Sequence, residues 1–372
     1  MKTILYIATS DIHLKTFHIP YLEWLAGQGH QVDLAFEDRG GISFEMARHE
    51  YRLPFPRSLN PAALRNSYQG LKRVIEAGDY DVLHCHTPIP SALTRLAARR
   101  WRKRGGKLLY TAHGFHFYKG GPLRNWLTYY PTELILSHLT DCIVTINSED
   151  LAHAKNPLWG AASAKIPGVG IQPRGFSPAT PEERLALRRE LGFGDEDFIL
   201  LCIAEFIPRK NHRFLIEAAP ELRAAIPGLR IVFLGRGELL EQCKGLATRL
   251  DVQETVLFMG FRQDVAHFAR IADIGISASR HEGLGIALLE QMMCAVPVVA
   301  SSDRGHREFV EPGSTGFLFG QNDRQDFAGH IRKLHDDSAL RASMGEQAHR
   351  RAQDFTLSRS LDEMARIYEG FL

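Results

Sequence analysis

Strand-length apolar runs alternate with segments of helical period from the first residues of the 372-residue chain. Such alternation predicts parallel sheets whose faces are covered by helices, the α/β fold class. We predict strands at 2–9, 31–36, 81–85, 107–112, 141–146, 198–205, 229–234, 255–260, 273–278 and 296–301. In the first half the helical segments lie near 16–27, 61–77, 89–103, 122–138 and 148–155. The pattern therefore indicates two doubly wound, Rossmann-like halves.

The length favours two domains, at roughly 100–200 residues per domain. Glycine and proline concentrate between the two halves without helical or strand period, which predicts a linker there. We place a first domain at 1–171, the linker at 172–181 and a second domain at 182–354, and expect a helix over 355–372 to pack back on the first. Open parallel sheets bind ligands beyond the carboxyl ends of their strands, so we expect the domains to face each other across a cleft.

Composition excludes several classes of protein. A formal charge of +2 is too balanced for a dedicated nucleic-acid binder. Five cysteines without a CxxC pair disfavour a disulfide framework or structural zinc site, and they favour a cytoplasmic protein. The N-terminus shows no cleavage site for a signal peptide, and no apolar stretch approaches the ~20 residues of a membrane span. Any contact with a membrane is therefore expected at its surface.

The segment DIGISASRHEGLGIALLEQMM leads from a strand through a polar loop into a helix. Gly283 and Gly285 would let the backbone approach a ligand closely, and the helix N-terminus suits a phosphate. Glu282 and Glu290 could face a sugar and a ribose; the alternatives are a helix-initiating acid and a solvated surface residue. The segment predicts a phosphate-containing ligand.

Two further turns follow strands in the second half. Arg209 and Lys210 could stabilise a leaving diphosphate, or could be an exposed basic pair. Gly235 and Gly237 in FLGRGE form a GxG that suits a nucleotide, although a tight turn explains them equally well.

Histidines follow two strands in the first half. His113 and His116 lie after one of them, and His84 and His86 lie in and after another. Such residues are interior histidines more often than ligands of a substrate hydroxyl. No Glu or Cys stands at metal-ligand spacing, so we predict no metal site.

The segment EGLGIALLEQMMCAVPVV resembles the donor-binding signature of family-four retaining glycosyltransferases, which have the GT-B fold of two facing Rossmann-like domains. The resemblance covers nearly the whole chain, with Gly285 where a proline is usual and Ala295 where a glycine is common. It implies three catalytic residues: Glu282 near the transferred sugar, Lys210 and His113. Arg209 becomes the candidate for a second charge, because Glu205 stands where the family usually has arginine. The implied donor-binding residues are Arg209, Gly235, Gly237, Gly283, Leu284, Gly285, Ile286 and, at the ribose, Glu290.

The first strand runs into TSDIHLKTFH, where many family members carry a glycine-rich loop. We expect the acceptor to be contacted by Asp11, His13, Lys15, His86 and His116. The wording of TAHGFHFYKG resembles bacterial enzymes of capsule, exopolysaccharide and glycan assembly. The implied function is retaining transfer of a hexose or N-acetylhexosamine from a UDP-sugar to a glycan on polyprenyl diphosphate, with no metal or other cofactor. A sugar-nucleotide 2-epimerase and a noncatalytic nucleotide-sugar binding module are the alternatives.

A basic run closes one helix of the first half. Its cations could complement the helix C-terminus or attract anionic lipid headgroups, at about 1 kcal/mol each. The predicted membrane-facing cations are Arg99, Arg100, Arg102, Lys103 and Arg104. The aromatic residues offered as interfacial anchors are Phe115, Phe117, Tyr118 and Trp126. We therefore expect a cytoplasmic protein peripherally associated with the inner face of the cell membrane.

Overall fold

A computed structural model describes residues 1–56 and 60–372. The chain forms two compact units, the first made of Met1–Val169 with Ser360–Leu372 and the second of Gly170–Arg359. The segment 172–181, predicted as a linker, thus belongs to the second unit, and the first unit takes up only the last part of the C-terminal segment.

The first unit is built on a seven-stranded sheet in which every recorded strand pair is parallel. Its strands are β1 (Thr3–Ser10), β2 (Gln31–Glu37), β3 (His49–Arg52), β4 (Val82–His86), β5 (Lys107–Ala112), β6 (Cys142–Thr145) and β7 (Ala162–Lys165), in the order β3-β2-β1-β4-β5-β6-β7. The central strands are near-continuous apolar runs because both faces of the sheet are covered. The helices are α1 (Asp11–Phe17), α2 (Ile19–Gly27), α3 (Pro61–Ala77), α4 (Pro88–Ala97), α5 (Arg99–Arg102), α6 (Leu123–Ser137) and α7 (Ser148–Ala154).

The second unit carries a six-stranded parallel sheet in the order β10-β9-β8-β11-β12-β13. Its strands are β8 (Phe198–Ile203), β9 (Leu229–Leu234), β10 (Val256–Phe258), β11 (Ile274–Ser277), β12 (Val298–Ser301) and β13 (Gly316–Phe319). The helices are α8 (Pro181–Glu190), α9 (His212–Ala225), α10 (Leu240–Arg249), α11 (Val265–Ile271), α12 (Ile286–Met293), α13 (Arg324–Asp336) and α14 (Ser338–Ala352). Together the two sheets confirm the predicted α/β class with two Rossmann-like units.

The last helix, α15 (Leu357–Glu369), contributes its C-terminal part to the first unit. Tyr368 is 1% exposed; its ring stacks on Trp24 with centroids 5.9 Å apart, and its hydroxyl lies 2.5 Å from Nδ1 of His84. Residues near the end of the chain therefore complete the core formed by residues near its beginning.

The strand order reverses between β1 and β4 in the first sheet and between β8 and β11 in the second. Loops that leave neighbouring strands on the two sides of such a reversal run to opposite faces, and this opens a crevice at the carboxyl edge. The predicted site residues follow the strands that border these two crevices. Among the described residues, no helix is both long enough and apolar enough to cross a bilayer.

Candidate active site

In the second unit, the loops after β8 and β11 are joined by ion pairs. Arg209 and Lys210 form a short 3₁₀ turn after β8, and Glu282 follows β11. Lys210 Nζ lies 2.5 Å from Glu282 Oε1, and Arg209 Nη1 lies 2.7 Å from Oε2. The backbone N–H of Arg280 also donates to the carbonyl of Arg209 at 2.8 Å. Predicted residues 72 and 73 positions apart are thus in direct contact.

The electrostatics of this cluster favour an anion. The Glu282 side chain is 9% exposed, whereas Arg209 and Lys210 retain 34% and 20% exposure. Burial alone would raise the pKa of Glu282, but Lys210 and then Arg209 outweigh it and lower the pKa to about 2. One carboxylate therefore faces two cations, and the cluster keeps a net positive charge.

The next element, α12, begins beside this cluster. Gly285 caps it with φ +109°, a conformation that L side chains rarely adopt, and a Cβ there would lie 3.0 Å from His306 Cδ2. Leu284 is buried, while Gly283 and Ile286 are half-buried. The first backbone N–H groups of an α-helix have no acceptor within the helix, so this end carries partial positive charge beside the two cations.

Glu290 lies one turn into α12 and is half-buried. Burial raises its pKa to about 7, and among the described residues its side chain forms no ion pair or hydrogen bond that would oppose the shift. A carboxyl group therefore titrates near neutral pH on the helix that begins at the cationic cluster.

A layer of polar residues after β12, which the sequence interpretation did not assign to the site, supports the loop that carries Glu282. Arg304 Nε donates to the Glu282 carbonyl at 3.3 Å. His306 donates from Nδ1 to the Ser301 carbonyl at 2.9 Å, and its backbone N–H donates to Asp303 Oδ1 at 2.8 Å. All four side chains are at least 94% buried. The signal in the sequence was the charged run DRGHRE placed directly after an apolar strand.

The two glycines of FLGRGE have a packing role. At Gly235 (φ +152°) a Cβ would lie 2.0 Å from the Ala204 carbonyl oxygen, and at Gly237 (φ +154°) it would lie 2.6 Å from the Phe206 nitrogen. The backbone N–H of Phe206 also donates to the carbonyl of Arg236, in the turn after β9. Close backbone packing accounts for both glycines, and their role in donor binding stays a prediction.

In the first unit, five histidines cluster at or near the carboxyl ends of β1, β4 and β5, and three of them contact the ring of Tyr6. Ring centroids of neighbouring members are 4.2–5.5 Å apart. Nε2 of His113 lies 3.3 Å from Nδ1 of His86. The members are His13, His18, His84, His86 and His113, which we call the histidine cluster.

Burial keeps the rings of the histidine cluster neutral. It lowers the pKa of His13 to about 4 and the pKa of His84 and His113 to about 3, and it holds His18 and His86 well below the ordinary value. Each neutral imidazole offers one N–H donor and one lone pair. The cluster can therefore hydrogen-bond to neutral hydroxyl groups or supply lone pairs.

Only two of the five predicted acceptor residues lie in the histidine cluster. His13 and His86 are in the histidine cluster, but Lys15 is exposed, and His116 is exposed with its ring 4.7 Å from that of Tyr129. Asp11 is fully buried, and its carboxylate accepts backbone hydrogen bonds of 2.8–3.1 Å from Ile12, Arg39, Gly40 and Ile42. Burial opposes ionisation of Asp11, but these bonds lower its pKa. The assignment of Asp11 to the acceptor is therefore corrected: it anchors the loop after β2.

Four of the five predicted membrane-facing cations are exposed, namely Arg99, Arg100, Lys103 and Arg104. Arg102 is the exception. It pairs with Asp141 at 3.1 and 3.0 Å and donates to the His138 carbonyl at 3.4 Å, which is a structural role.

The proposed aromatic anchors are wrong for Phe115 and Phe117. Both are at least 97% buried and stack on each other at 4.9 Å, and Trp126 is half-buried against Phe117. These aromatic residues therefore pack in the core. The exposed apolar surface, which the sequence analysis did not identify, lies on α6.

The missed surface is an apolar stripe on α6. Leu123, Leu127 and Ile135 are 73%, 70% and 67% exposed, at positions i, i+4 and i+12. A buried ion pair of 2.7 Å between Arg95 of α4 and Glu133 of α6 places these helices side by side. Of the exposed cations, Arg99 and Arg100 lie on α5, which follows α4, and Lys103 and Arg104 come directly after α5. The i+4 spacing of apolar residues in the sequence was the signal for this stripe.

Two parallel-sheet units, with a cationic cluster at the strand-order reversal of the second, are the architecture of the GT-B glycosyltransferases. Models of two families match this chain: Glycosyltransferase Family 4 over residues 21–166 and Glycosyl transferases group 1 over residues 183–351. Over 373 aligned residues the chain is 41% identical to EpsD of Bacillus subtilis (strain 168), a protein provisionally assigned glycosyltransferase activity, covering 100% of this chain and 97% of that protein. The chain therefore belongs to glycosyltransferase family 4.

One further relative and one solved structure extend the comparison. The chain is 25% identical over 305 residues, 80% of its length and 77% of the other, to the UDP-Gal:alpha-D-GlcNAc-diphosphoundecaprenol alpha-1,3-galactosyltransferase of Escherichia coli. It superposes on HepE of Anabaena, solved in complex with UDP, with a TM-score of 0.80 over 100% of both chains at 20% identity. The predicted GT-B fold is thereby confirmed.

Proposed function

We propose that this glycosyltransferase transfers a hexose or N-acetylhexosamine from a UDP-sugar, with retention of configuration and without a metal ion. The acceptor is a glycan on polyprenyl diphosphate. The observation that carries the proposal is the contact of Lys210 and Arg209 with Glu282 beside the N-terminus of α12. This arrangement offers fixed positive charge to a diphosphate and fixed negative charge to the sugar that leaves it.

In the proposed reaction the bond between the anomeric carbon and the diphosphate oxygen breaks, and its electron pair stays on that oxygen. Lys210, Arg209 and the amides at the start of α12 stabilise the charge that develops there. The acceptor hydroxyl oxygen forms its bond to the anomeric carbon on the same face and gives its proton to the departing diphosphate oxygen. Glu282, ionised because its pKa is about 2, stabilises the positive charge on the sugar.

Two other residues complete the assignment. Glu290 accepts hydrogen bonds from the ribose hydroxyls of the donor, which its place one turn into α12 supports. His113, neutral and at the end of β5, donates a hydrogen bond to a sugar hydroxyl. The choice of UDP is supported by the nucleotide named for the E. coli relative and for HepE.

The apolar stripe of α6 and the exposed cations after α4 support peripheral association with an anionic membrane. Leucine side chains can enter the interface between headgroups and acyl chains, and cations attract anionic lipids. Such a surface would bring the enzyme to a lipid-linked acceptor, the kind of molecule named for the E. coli relative.

The test is to incubate the purified chain with a panel of radiolabelled UDP-sugars, with and without a bacterial membrane extract. Transfer of label to lipid only when the extract is present supports the proposal, and NMR of the product determines its anomeric configuration. Conversion of the donor without an acceptor would identify an epimerase instead. Tight UDP binding without turnover of any donor would identify a binding module.

A further inference from the structure

Three members of the histidine cluster bring ring nitrogens close together. His13 lies on α1, His18 between α1 and α2, and His113 after β5. One ring nitrogen from each lies within 4.8 Å of those of the other two. The proposed transfer reaction uses only His113 of these three, so it does not explain the convergence.

The nitrogens at this point have unused lone pairs or protons. Among the described residues, His13 Nδ1 and His18 Nε2 are buried and have no hydrogen-bond partner, and the whole side chain of His18 is 98% buried. An unsatisfied buried polar atom costs roughly 1–3 kcal/mol, which a ligand at this point would offset.

The other sides of two rings are held in place. His18 Nδ1 lies 2.8 Å from the hydroxyl of Tyr6, and His113 Nε2 lies 3.3 Å from Nδ1 of His86. In metal sites a ligating histidine almost always hydrogen-bonds through its other nitrogen, which fixes the ring and its tautomer. His18 shows this arrangement, with its Nε2 directed away from the bond to Tyr6.

We propose that His13, His18 and His113 bind one divalent transition-metal ion, for which Zn²⁺ is the probe. Three imidazoles without a carboxylate suit zinc and its neighbours and not Mg²⁺ or Ca²⁺, which require oxygen ligands. Zinc–nitrogen bonds of about 2.0–2.1 Å in a tetrahedron place the ligand nitrogens about 3.4 Å apart. The three nitrogens lie within 4.8 Å of one another, so binding would draw them closer together, and a water molecule would take the fourth position.

The ion would act as an inhibitor and not as a cofactor. This consequence rests on the proposed function, in which His113 hydrogen-bonds to a sugar hydroxyl, because a nitrogen bound to zinc cannot make that bond. Binding of the metal itself does not depend on the function and is measured without any substrate.

The experiment uses the full chain without a histidine tag, freed of metal by chelation, and titrates it with ZnCl₂ in a calorimeter. We expect one Zn²⁺ per chain in the wild type and at least a tenfold weaker affinity in His13→Ala and in His113→Asn. His330→Ala is the matched control, because His330 Nε2 lies 3.1 Å from Asp326 on α13 and offers an ordinary surface pair for the metal. Its affinity should equal that of the wild type.

Thermal unfolding without metal shows whether each variant folds. X-ray absorption of the wild-type zinc form gives a result that needs no variant, because it counts imidazole ligands at about 2.0–2.1 Å. Three imidazoles support the proposal. The proposal is overturned if stoichiometric binding is absent, if it survives in both cluster variants, or if fewer than three imidazoles are found. The transferase activity of the metal-free chain is unaffected by any of these outcomes.

Discussion

Lys210 and Glu282 are 72 residues apart in the sequence, yet Nζ and Oε1 lie 2.5 Å apart. The contact exists because β8 and β11 are neighbours in the sheet and each residue follows one of them. A diphosphate that binds here has to share the lysine with this carboxylate. The geometry therefore gives the lysine two anionic partners when the donor is bound, the Glu282 carboxylate and the diphosphate.

Lys210→Ala should lower turnover by about 10²–10³, or about 2.7–4 kcal/mol, because a charge fixed before the reaction stabilises the leaving diphosphate. Steady-state kinetics with the donor and a lipid-linked acceptor measure this. Arg213→Ala is the matched control, since Arg213 is 73% exposed and pairs with Glu217 on the surface of α9. A rise in KM for the donor with kcat unchanged would contradict the catalytic role.

Donor affinity should increase with pH through Glu290. Ribose hydroxyls donate to a carboxylate better than to a neutral carboxyl group, and the pKa of Glu290 is raised to about 7. Below that pH, donor binding releases a proton, so log Kd should change by up to about one per pH unit and level off above it. Calorimetry between pH 5.5 and 8.5 (roughly the range on either side of this pKa) should use a UDP-sugar, because its diphosphate has no proton to lose near neutral pH.

Glu290→Gln separates this effect from other titrating groups. The variant should bind the donor with little dependence on pH. It should also lack the part of the pH dependence of folding stability that comes from Glu290. Because the folded pKa is raised, the unfolded chain loses this proton first, and wild-type stability falls as pH rises from the ordinary carboxyl range to about 7. Identical pH profiles in both proteins would refute the assignment.

Gly285→Ala should destabilise the second unit by roughly 1–2 kcal/mol, the cost of an L residue in a left-handed conformation, and should weaken UDP binding. Its Cβ would also meet His306 at 3.0 Å. Gly329→Ala in α13 is the matched control: no atom lies within 4 Å of its Cβ, so it should stabilise by about 1 kcal/mol and leave UDP binding unchanged. Chemical denaturation with UDP titration compares them; equal stability of both variants would show that Gly285 is not constrained.

The apolar stripe of α6 should bind anionic vesicles. Replacing Leu123, Leu127 and Ile135 with serine should reduce sedimentation with vesicles rich in phosphatidylglycerol by more than tenfold, because each leucine gains about 1.5–3 kcal/mol on full burial. Folding should be preserved, since these side chains are exposed. Leu185→Ser in the second unit, at 38% exposure, is the control.

The exposed cations after α4 give a second, independent test of membrane binding. Replacing the four exposed ones with glutamine should weaken vesicle binding by about 10²–10³ at low salt, at about 1 kcal/mol per residue. The difference from the wild type should shrink as salt is added. Binding that ignores both sets of substitutions would exclude this surface.

The buried strands were predictable because strands covered on both faces are continuous apolar runs. The prediction missed β3, β7 and β13, all of which lie at sheet edges. The sequences of β3 and β7, HEYR and ASAK, are short and polar, and none of their residues is buried. An edge strand needs fewer apolar residues, so its sequence hardly differs from that of a loop.

Residues of the site were predictable where one segment carries the chemistry, as in the loop and helix from Glu282 to Glu290. Burial and long-range pairing were not visible. The four backbone N–H groups that bond to Asp11 belong to its own neighbour and to a loop 28–31 residues away. Because the sequence does not show these bonds, it predicts a ligand contact for Asp11 instead. The convergence of His13 and His113 across 100 positions had no local signal either, so the spacing of histidines predicted no metal site.

The packing of Tyr368 against His84 and Trp24 has a consequence for biosynthesis. Ribosomes release a chain from its N-terminus, and the first domain usually folds first. Here the unit formed by residues 1–169 is complete only after residues 360–372 have been synthesised, whereas all residues of the second unit, 170–359, are synthesised before them. We expect the half that is made first to be the last to reach its final stability, so that nascent chains shortened by a few turns at the C-terminus would carry a finished second half and a protease-sensitive first half.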